Sequence, residues 1–103
     1  DDLAKYNSLK AELYPKAADA YYTKGKSDFL SKNMTEAKTD LETALKYASN
    51  ENFVDDIYYY LGQISEGEKD MASAKKYYNK IISDYPDSNQ IGNARNALEG
   101  LKE

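Results

Sequence analysis

Tyr58-Tyr59-Tyr60-Leu61-Gly62-Gln63-Ile64-Ser65, followed by Ala74-Lys75-Lys76-Tyr77-Tyr78 and then by Tyr85-Pro86, is the stretch on which the fold turns. Large and small residues recur in it at three- and four-residue steps, the period of one face of an α-helix rather than the alternation of a strand. Gly62 lies inside the first segment, where a glycine costs roughly 1 kcal/mol relative to alanine. A close approach between helices at Gly62 and Ala74 offsets that cost. Pro86 cannot continue the second segment and closes it.

The same pattern occurs once more, 37 residues upstream. Asp19 meets Asp56, Tyr21 meets Tyr58, Tyr22 meets Tyr59, Gly25 meets Gly62, Lys32 meets Lys69, Met34 meets Met71, Ala37 meets Ala74 and Lys38 meets Lys75. These are eight identities in the twenty positions from Asp19 to Lys38, where average composition predicts about two. Leu41 matches Tyr78, Ala44 matches Ile81, Leu45 matches Ile82, and Asn33 matches Asp70 as a helix cap. The repeated unit is helix, short turn, helix. One such hairpin cannot bury its own apolar face, and stacking of neighbours solves that problem.

Working outward, the spacing predicts about six helices in an all-α chain. The first covers roughly 2–14, with Leu3, Tyr6, Leu9 and Leu13 on one side. Pro15 disfavours helical geometry at Tyr14, so a break or kink is expected there. A second helix spans roughly 16–31, with Ala17, Ala18, Tyr21, Gly25 and Phe29 inward. A third runs over 34–48 with the stripe Ala37, Leu41, Ala44, Leu45 and Ala48. Asn33 and Glu36 have the spacing of a capping box. Asn33-Met34-Thr35 is also formally a glycosylation acceptor, although the cap explains Asn33 without it. After the loop 49–52 come helices over 53–67, 71–85 (capped by Asp70) and 89–101, the last with Ile91, Ala94, Leu98 and Leu101 along one face.

Of the 103 residues, none is Cys or His, which removes disulfides, thiolate nucleophiles, Cys/His zinc sites and imidazole acid–base chemistry. The net charge of −4 opposes binding to a phosphate backbone, so nucleic acid is not an expected partner. No apolar run reaches the roughly 20 residues of a membrane span, and no helix has the basic polar face of a membrane-surface helix. The opening Asp1-Asp2, without an initiator Met, is what a processed or partial chain presents. Carboxylates are the remaining catalytic currency. Asp55-Asp56 and Glu66/Glu68 are the pairs to consider, but charged runs on helices are far more often solvated faces. Glu66-Gly67-Glu68-Lys69-Asp70 lacks the alternating ligands of a calcium loop. No catalytic, cofactor or metal site is expected. Eleven Tyr with two Phe and no Trp suit half-buried positions on helix faces and interfaces.

Tyr58-x2-Leu61-Gly62-x2-Ser65, Ala74-x3-Tyr78 and Pro86 together resemble the tetratricopeptide repeat. Tyr58 stands where Trp is commonest in that pattern and Ser65 where Tyr is commonest. In the upstream unit Tyr21, Gly25, Ala37, Leu41 and Ala44 fit, whereas Lys24 and Asp28 do not. The resemblance implies an α-α superhelix of helical hairpins forming one domain over 1–103. Its parts are an N-terminal flanking helix at 1–15, repeats at 18–51 and 55–88, and a C-terminal capping helix at 89–103. Tyr14-Pro15 echoes Tyr85-Pro86 and lies one family interval before Gly25, which suits half of a truncated repeat. Asn7 and Lys10, however, fall where such a half-repeat wants core residues, so both readings of the first helix stay open. The run Ala74–Ser88 is similar to repeats of bacterial cell-envelope proteins such as the outer-membrane assembly lipoprotein and the Tol-Pal coordinator. That likeness implies a bacterial, extracytoplasmic setting.

The resemblance also implies a function: a non-catalytic scaffold that binds a protein or peptide in a groove lined by the first helix of each hairpin. Carried over residue by residue, that face holds Asp19, Tyr22, Lys26 and Phe29 in the first unit and Asp56, Tyr59, Gln63 and Glu66 in the second. Asn93 and Asn96 extend it on the last helix. Tyr22 and Tyr59 either contact the partner or pack between hairpins. Some members of the family clamp the terminal carboxylates of chaperones with Lys, Asn and Arg. Here Tyr22 and Tyr59 occupy such positions and Lys26 alone fits, so that activity is not expected, and the acidic residues suit a basic or aromatic ligand. The alternative is a self-associating module that buries Leu3–Leu13 and Ile91–Leu101 against a second copy.

Overall fold

The structure, a computed structural model, describes residues 2–49 and 51–101, and at Tyr6 and Leu9 the backbone alone. The inward placement of Tyr6 and Leu9, the loop position of Asn50 and the residues 102–103 therefore lie outside the described residues. Five α-helices make up the described chain: α1 (Asp2–Leu30), α2 (Met34–Tyr47), α3 (Val54–Gly67), α4 (Met71–Asp84) and α5 (Ile91–Gly100). They fall into two compact units that divide between Asn52 and Phe53.

The separate helices expected on either side of Pro15 are one helix of 29 residues, so the count is five rather than six. A proline inside a helix removes one N–H, here the donor to the Ala11 carbonyl. Ala11 is an exposed position, so that carbonyl can be hydrated and does not require a protein partner. Tyr14, the residue that Pro15 restricts, is held by its ring, which meets Tyr47 of α2 edge-on with centroids 5.0 Å apart.

In the first unit α1 and α2 form a hairpin. Ala18, Gly25, Ala37, Leu41 and Ala44 are buried along its seam. A Cβ on Gly25 would come within 2.7 Å of Leu41 Cγ, so no larger residue fits without displacing Leu41. The second unit repeats the device. A Cβ on Gly62 would come within 2.5 Å of Tyr78 Cε1 on α4. Ala74, Tyr78, Ile81 and Ala94 form one buried cluster of that unit, and Ile91, Ala97 and Leu98 of α5, with Leu101 just after it, pack against this cluster. The expected stripe on the last helix therefore packs on α4. Met34 and Met71, identical across the repeat, are both exposed, at 38% and 40%, and take no part in either core.

The turns inside the two hairpins are alike. Lys32 and Lys69 have φ of 67° and 62°, left-handed values rare outside glycine. The Asn33 N–H donates to the Asp28 carbonyl at 2.8 Å and the Lys32 N–H to that of Phe29 at 3.0 Å. The Asp70 N–H donates to Ser65 at 2.9 Å and the Lys69 N–H to Glu66 at 3.0 Å. This six-to-one and five-to-two pairing is the Schellman closure of a helix C-terminus. The following caps differ. The Asp70 carboxylate accepts from the Ser73 N–H at 3.1 Å and from its hydroxyl at 2.7 Å. Asn33 holds the cap position of α2 but makes no side-chain cap bond. The capping box expected at Asn33 and Glu36 is thus not formed. The backbone is not the cause, since the two caps have nearly equal dihedrals, φ −88° and ψ 72° at Asn33 and φ −94° and ψ 79° at Asp70. What differs is the Asp70 carboxylate and the Ser73 hydroxyl that also donates to it, where the first unit has Glu36.

Because an L-residue in the left-handed region costs roughly 1–2 kcal/mol and glycine adds roughly 0.5–1 kcal/mol of unfolded-state entropy, Lys32→Gly and Lys69→Gly should each stabilise the protein slightly. Thermal melts should show each variant a few degrees above the parent. A fall in both would contradict the left-handed turns.

Candidate functional site

Steps of three, four and three residues place Asp19, Tyr22, Lys26 and Phe29 on one face of α1. Asp19 and Lys26 are exposed, and Tyr22 and Phe29 are half-buried. The Asp19 carboxylate accepts a hydrogen bond from the Thr23 hydroxyl at 3.2 Å, one turn further along. The face therefore alternates solvated charge with partly covered aromatic rings.

The matching face of α3 is more deeply engaged. Asp56, Tyr59, Gln63 and Glu66 are all half-buried. Asp56 accepts from the Gln90 side-chain amide at 2.8 Å. Tyr59 packs against the Ala74–Tyr78–Ile81–Ala94 core and lies 6.1 Å from the Tyr78 ring and 6.4 Å from that of Tyr60. Gln63 donates to the Tyr78 hydroxyl oxygen at 2.7 Å and to the Glu66 carboxylate at 3.3 Å. The Tyr78 hydroxyl donates in turn to Glu66. Burial, with the Glu66 carboxylate second, pushes the Tyr78 phenol far above its ordinary value, so it stays a donor throughout the accessible pH range. Gln63 and Glu66 thus satisfy the largest fully buried side chain among the described residues.

Three arrangements have no counterpart in the sequence-based expectations. First, Lys24 and Asp28, the residues that depart from the repeat pattern, are joined by a third. The Lys24 ammonium lies 3.1 Å from Asp28 and 2.8 Å from Asp40 on α2, and so ties the hairpin together with charge where the second unit uses buried Leu61 and Ser65. The 16-residue separation of Lys24 and Asp40 gives no local signal. Second, Asp55 accepts a hydrogen bond from the Ser88 hydroxyl, whose oxygen also accepts from the Gln90 N–H at 2.9 Å. Asp55 and Asp56, considered above as a carboxylate pair, thereby anchor the α4–α5 connection to the start of α3. Third, Tyr58 sits between Tyr77 and Tyr85, 6.2 Å from each ring centroid, and its counterpart Tyr21 stacks on Tyr47 at 6.2 Å. The position commonest as Trp in the repeat is thus an aromatic contact within each hairpin. Asn93 is exposed and donates to Gln90 at 3.0 Å; Asn96 is exposed. Among the described residues no cluster of three or more His, Cys, Asp and Glu side chains could hold a metal ion. No helix is long and apolar enough to cross a membrane.

With this geometry the family comparison agrees. Residues 56–88 match a model of the tetratricopeptide repeat, and residues 18–51 match a second model of the same description. Between them the two matches cover about two thirds of the chain, and they fall on the α3–α4 and α1–α2 hairpins. The chain belongs to the tetratricopeptide repeat family. Such repeats generally mediate protein–protein interaction and are typically non-catalytic scaffolds. No curated protein and no solved structure is significantly similar to the chain.

Tyr78→Phe keeps the ring but removes the hydroxyl shared by Gln63 and Glu66. A loss of about 1.5–3 kcal/mol in urea unfolding is expected, the range for a hydrogen bond to a charged group; an unchanged midpoint would show that the hydroxyl is not engaged.

The charge bridge makes a pH prediction. The hydrogen bond from Lys24 holds the Asp40 carboxyl below its ordinary 3.8, and bonds to Asp40 and Asp28 hold Lys24 above its ordinary 10.5. A depressed carboxyl stabilises the fold above its unfolded pKa and loses that contribution as pH falls through the folded one. A raised ammonium stabilises below its unfolded pKa and loses the contribution as pH rises through the folded one. The bridge therefore acts between those limits. Lys24→Met should lower the melting temperature slightly at pH 7, and by progressively less as the pH is taken below the unfolded carboxyl's 3.8; an equal drop throughout would assign the loss to packing.

Proposed function

We propose that the chain is a protein-binding scaffold whose partner lies along the first helix of each hairpin, across Asp19, Tyr22, Lys26 and Phe29 of α1 and Asp56, Tyr59, Gln63 and Glu66 of α3. The observation that carries this is the recurrence of one stripe, at identical spacing, on both first helices, with none of its eight residues fully buried. Asp and Glu outnumber basic residues in the stripe, which favours a partner segment carrying basic and aromatic side chains. Tyr59 and Gln63 present their outer edges only, because their inner edges pack on or bond to Tyr78. The more adaptable contacts are then Asp19 and Lys26. We propose further that the two repeats and their flanking helices act as one domain over 1–103. The likeness of Ala74–Ser88 to cell-envelope repeats supports a bacterial extracytoplasmic setting and is the only support for it.

A second function is self-association. Leu3 and Leu13 of α1 are 64% and 51% exposed, which favours it at that end. At the other end Ile91, Leu98 and Leu101 are already packed on the core of their unit. Sedimentation at several concentrations separates the two, since a strict monomer removes self-association.

The groove is tested by placing a photo-crosslinking amino acid at Asp19 or Lys26, and at the exposed Lys75 and Lys76 of α4 as controls. Crosslinks to a discrete protein from the α1 positions but not from the α4 positions are expected. Asp19→Ala with Lys26→Ala should weaken that complex about tenfold, as loss of two charged contacts does, with no change in melting temperature. Equal crosslinking from both faces would contradict the groove.

A further inference from the structure

A cleft of about 560 Å³ opens in the first unit where the first half of α1 passes the end of α2. That volume lies within the range of about 300–1,000 Å³ typical of small-ligand sites. Tyr14 and Tyr47 form its floor, edge to face. Lys10 lies over the Tyr14 ring at 5.5 Å and Lys46 over the Tyr47 ring at 5.9 Å. Ala11, Pro15 and Ala48 add apolar wall, and Glu51 is the one acidic lining residue. One oxygen of the Glu51 carboxylate accepts from the backbone N–H of Ser49, and with Lys10 and Lys46 the lining remains net positive.

The charge here runs against the rest of the protein, which is acidic overall. Lys24 and Lys80 are paired with carboxylates. Among the described residues neither Lys10 nor Lys46 forms an ion pair; each ammonium rests on a tyrosine ring instead. A cation over a ring face can still hydrogen-bond to an anion, and at an exposed site the ring adds a weak attraction of its own. Two such cations beside two aromatic edges suit a carboxylate flanked by an apolar side chain. An extended polyanion does not fit as well, because two cations are too few to offset repulsion from the acidic surface.

We propose that this cleft is a second docking site, distinct from the groove face, and that it takes an acidic peptide segment whose carboxylate meets Lys10 and Lys46 while a neighbouring apolar side chain packs on Tyr14, Tyr47 and Pro15. The proposal rests on the protein-binding function but not on the same residues, so the two fail separately.

The test selects peptides from a random phage library on the whole chain and measures the enriched peptides by calorimetry. Enrichment of sequences that pair Asp or Glu with an apolar residue is expected. Lys10→Gln with Lys46→Gln should weaken them about tenfold or more, and raising the salt concentration should weaken them further. Asp19→Ala with Lys26→Ala should leave them unchanged. Far-ultraviolet circular dichroism of the Gln variants checks that the helices are intact. Enriched peptides without net negative charge, or equal binding to the Gln variants, would overturn the proposal. Peptides sensitive only to the Asp19 and Lys26 changes would support the groove and overturn the cleft. Displacement of the peptides by a short oligothymidylate would assign the cleft to nucleic acid and overturn it too.

Discussion

Each hairpin depends on the closeness of one glycine to one large side chain: Gly25 to Leu41 and Gly62 to Tyr78. The glycine has no Cβ, so the second helix can settle onto the backbone of the first. In the second unit that approach seats the Tyr78 ring at full burial, which brings its hydroxyl to Gln63 and Glu66. Ala94 of α5 then closes against Ala74, Tyr78 and Ile81. The positions of Gln63 and Glu66 on the proposed groove face thus follow from a packing contact on the same side of α3, Gly62 lying next to Gln63 and one turn before Glu66. Leu41 in the first unit has no polar tip to satisfy. Lys26, which matches Gln63 there, stays exposed as a result.

The two units reach the same architecture with different chemistry. The second buries Leu61 and Ser65 where the first carries Lys24 and Asp28. Lys24 recovers cross-helix attachment by reaching Asp40. Exposed pairs of this kind contribute little, so the first hairpin depends more on Ala37, Leu41 and Ala44 than on charge. The surfaces differ in the same way. The stripes on α1 and α3 are predominantly acidic and aromatic, whereas the cleft at Tyr14 and Tyr47 is basic and aromatic. Tyrosine supplies the apolar area at both, with few rotatable bonds to immobilise on binding.

Both hairpins were legible from the 37-residue repeat, because the repeat preserves what packing requires: Gly25 and Gly62, Ala37 and Ala74, and the large residues opposite them. Asp70 was legible as a cap from its place before a helical run. What escaped the sequence depended on contacts between distant residues. Pro15 marks a helix end in most settings, but here the Tyr14–Tyr47 contact and a solvated carbonyl keep α1 continuous. Asn33 has the right residue type for a cap and nearly the backbone dihedrals of Asp70, yet only Asp70, a carboxylate that also accepts from the Ser73 hydroxyl, makes the bond. The groove stripe was legible as a helical face. The prior engagement of Gln63 and Glu66 was not, although a tyrosine at the Leu41-equivalent position does signal that a buried hydroxyl needs a partner. Met34 and Met71 show that identity across a repeat need not mean burial.

The central claim is that backbone-to-side-chain contact at the two glycines sets both hairpins. Nuclear Overhauser spectra of the labelled protein test it most directly. Strong cross-peaks are predicted from the Gly62 α-protons to the Tyr78 ring protons and from the Gly25 α-protons to the Leu41 methyl protons. Absence of both sets in a folded, helical sample would contradict the account.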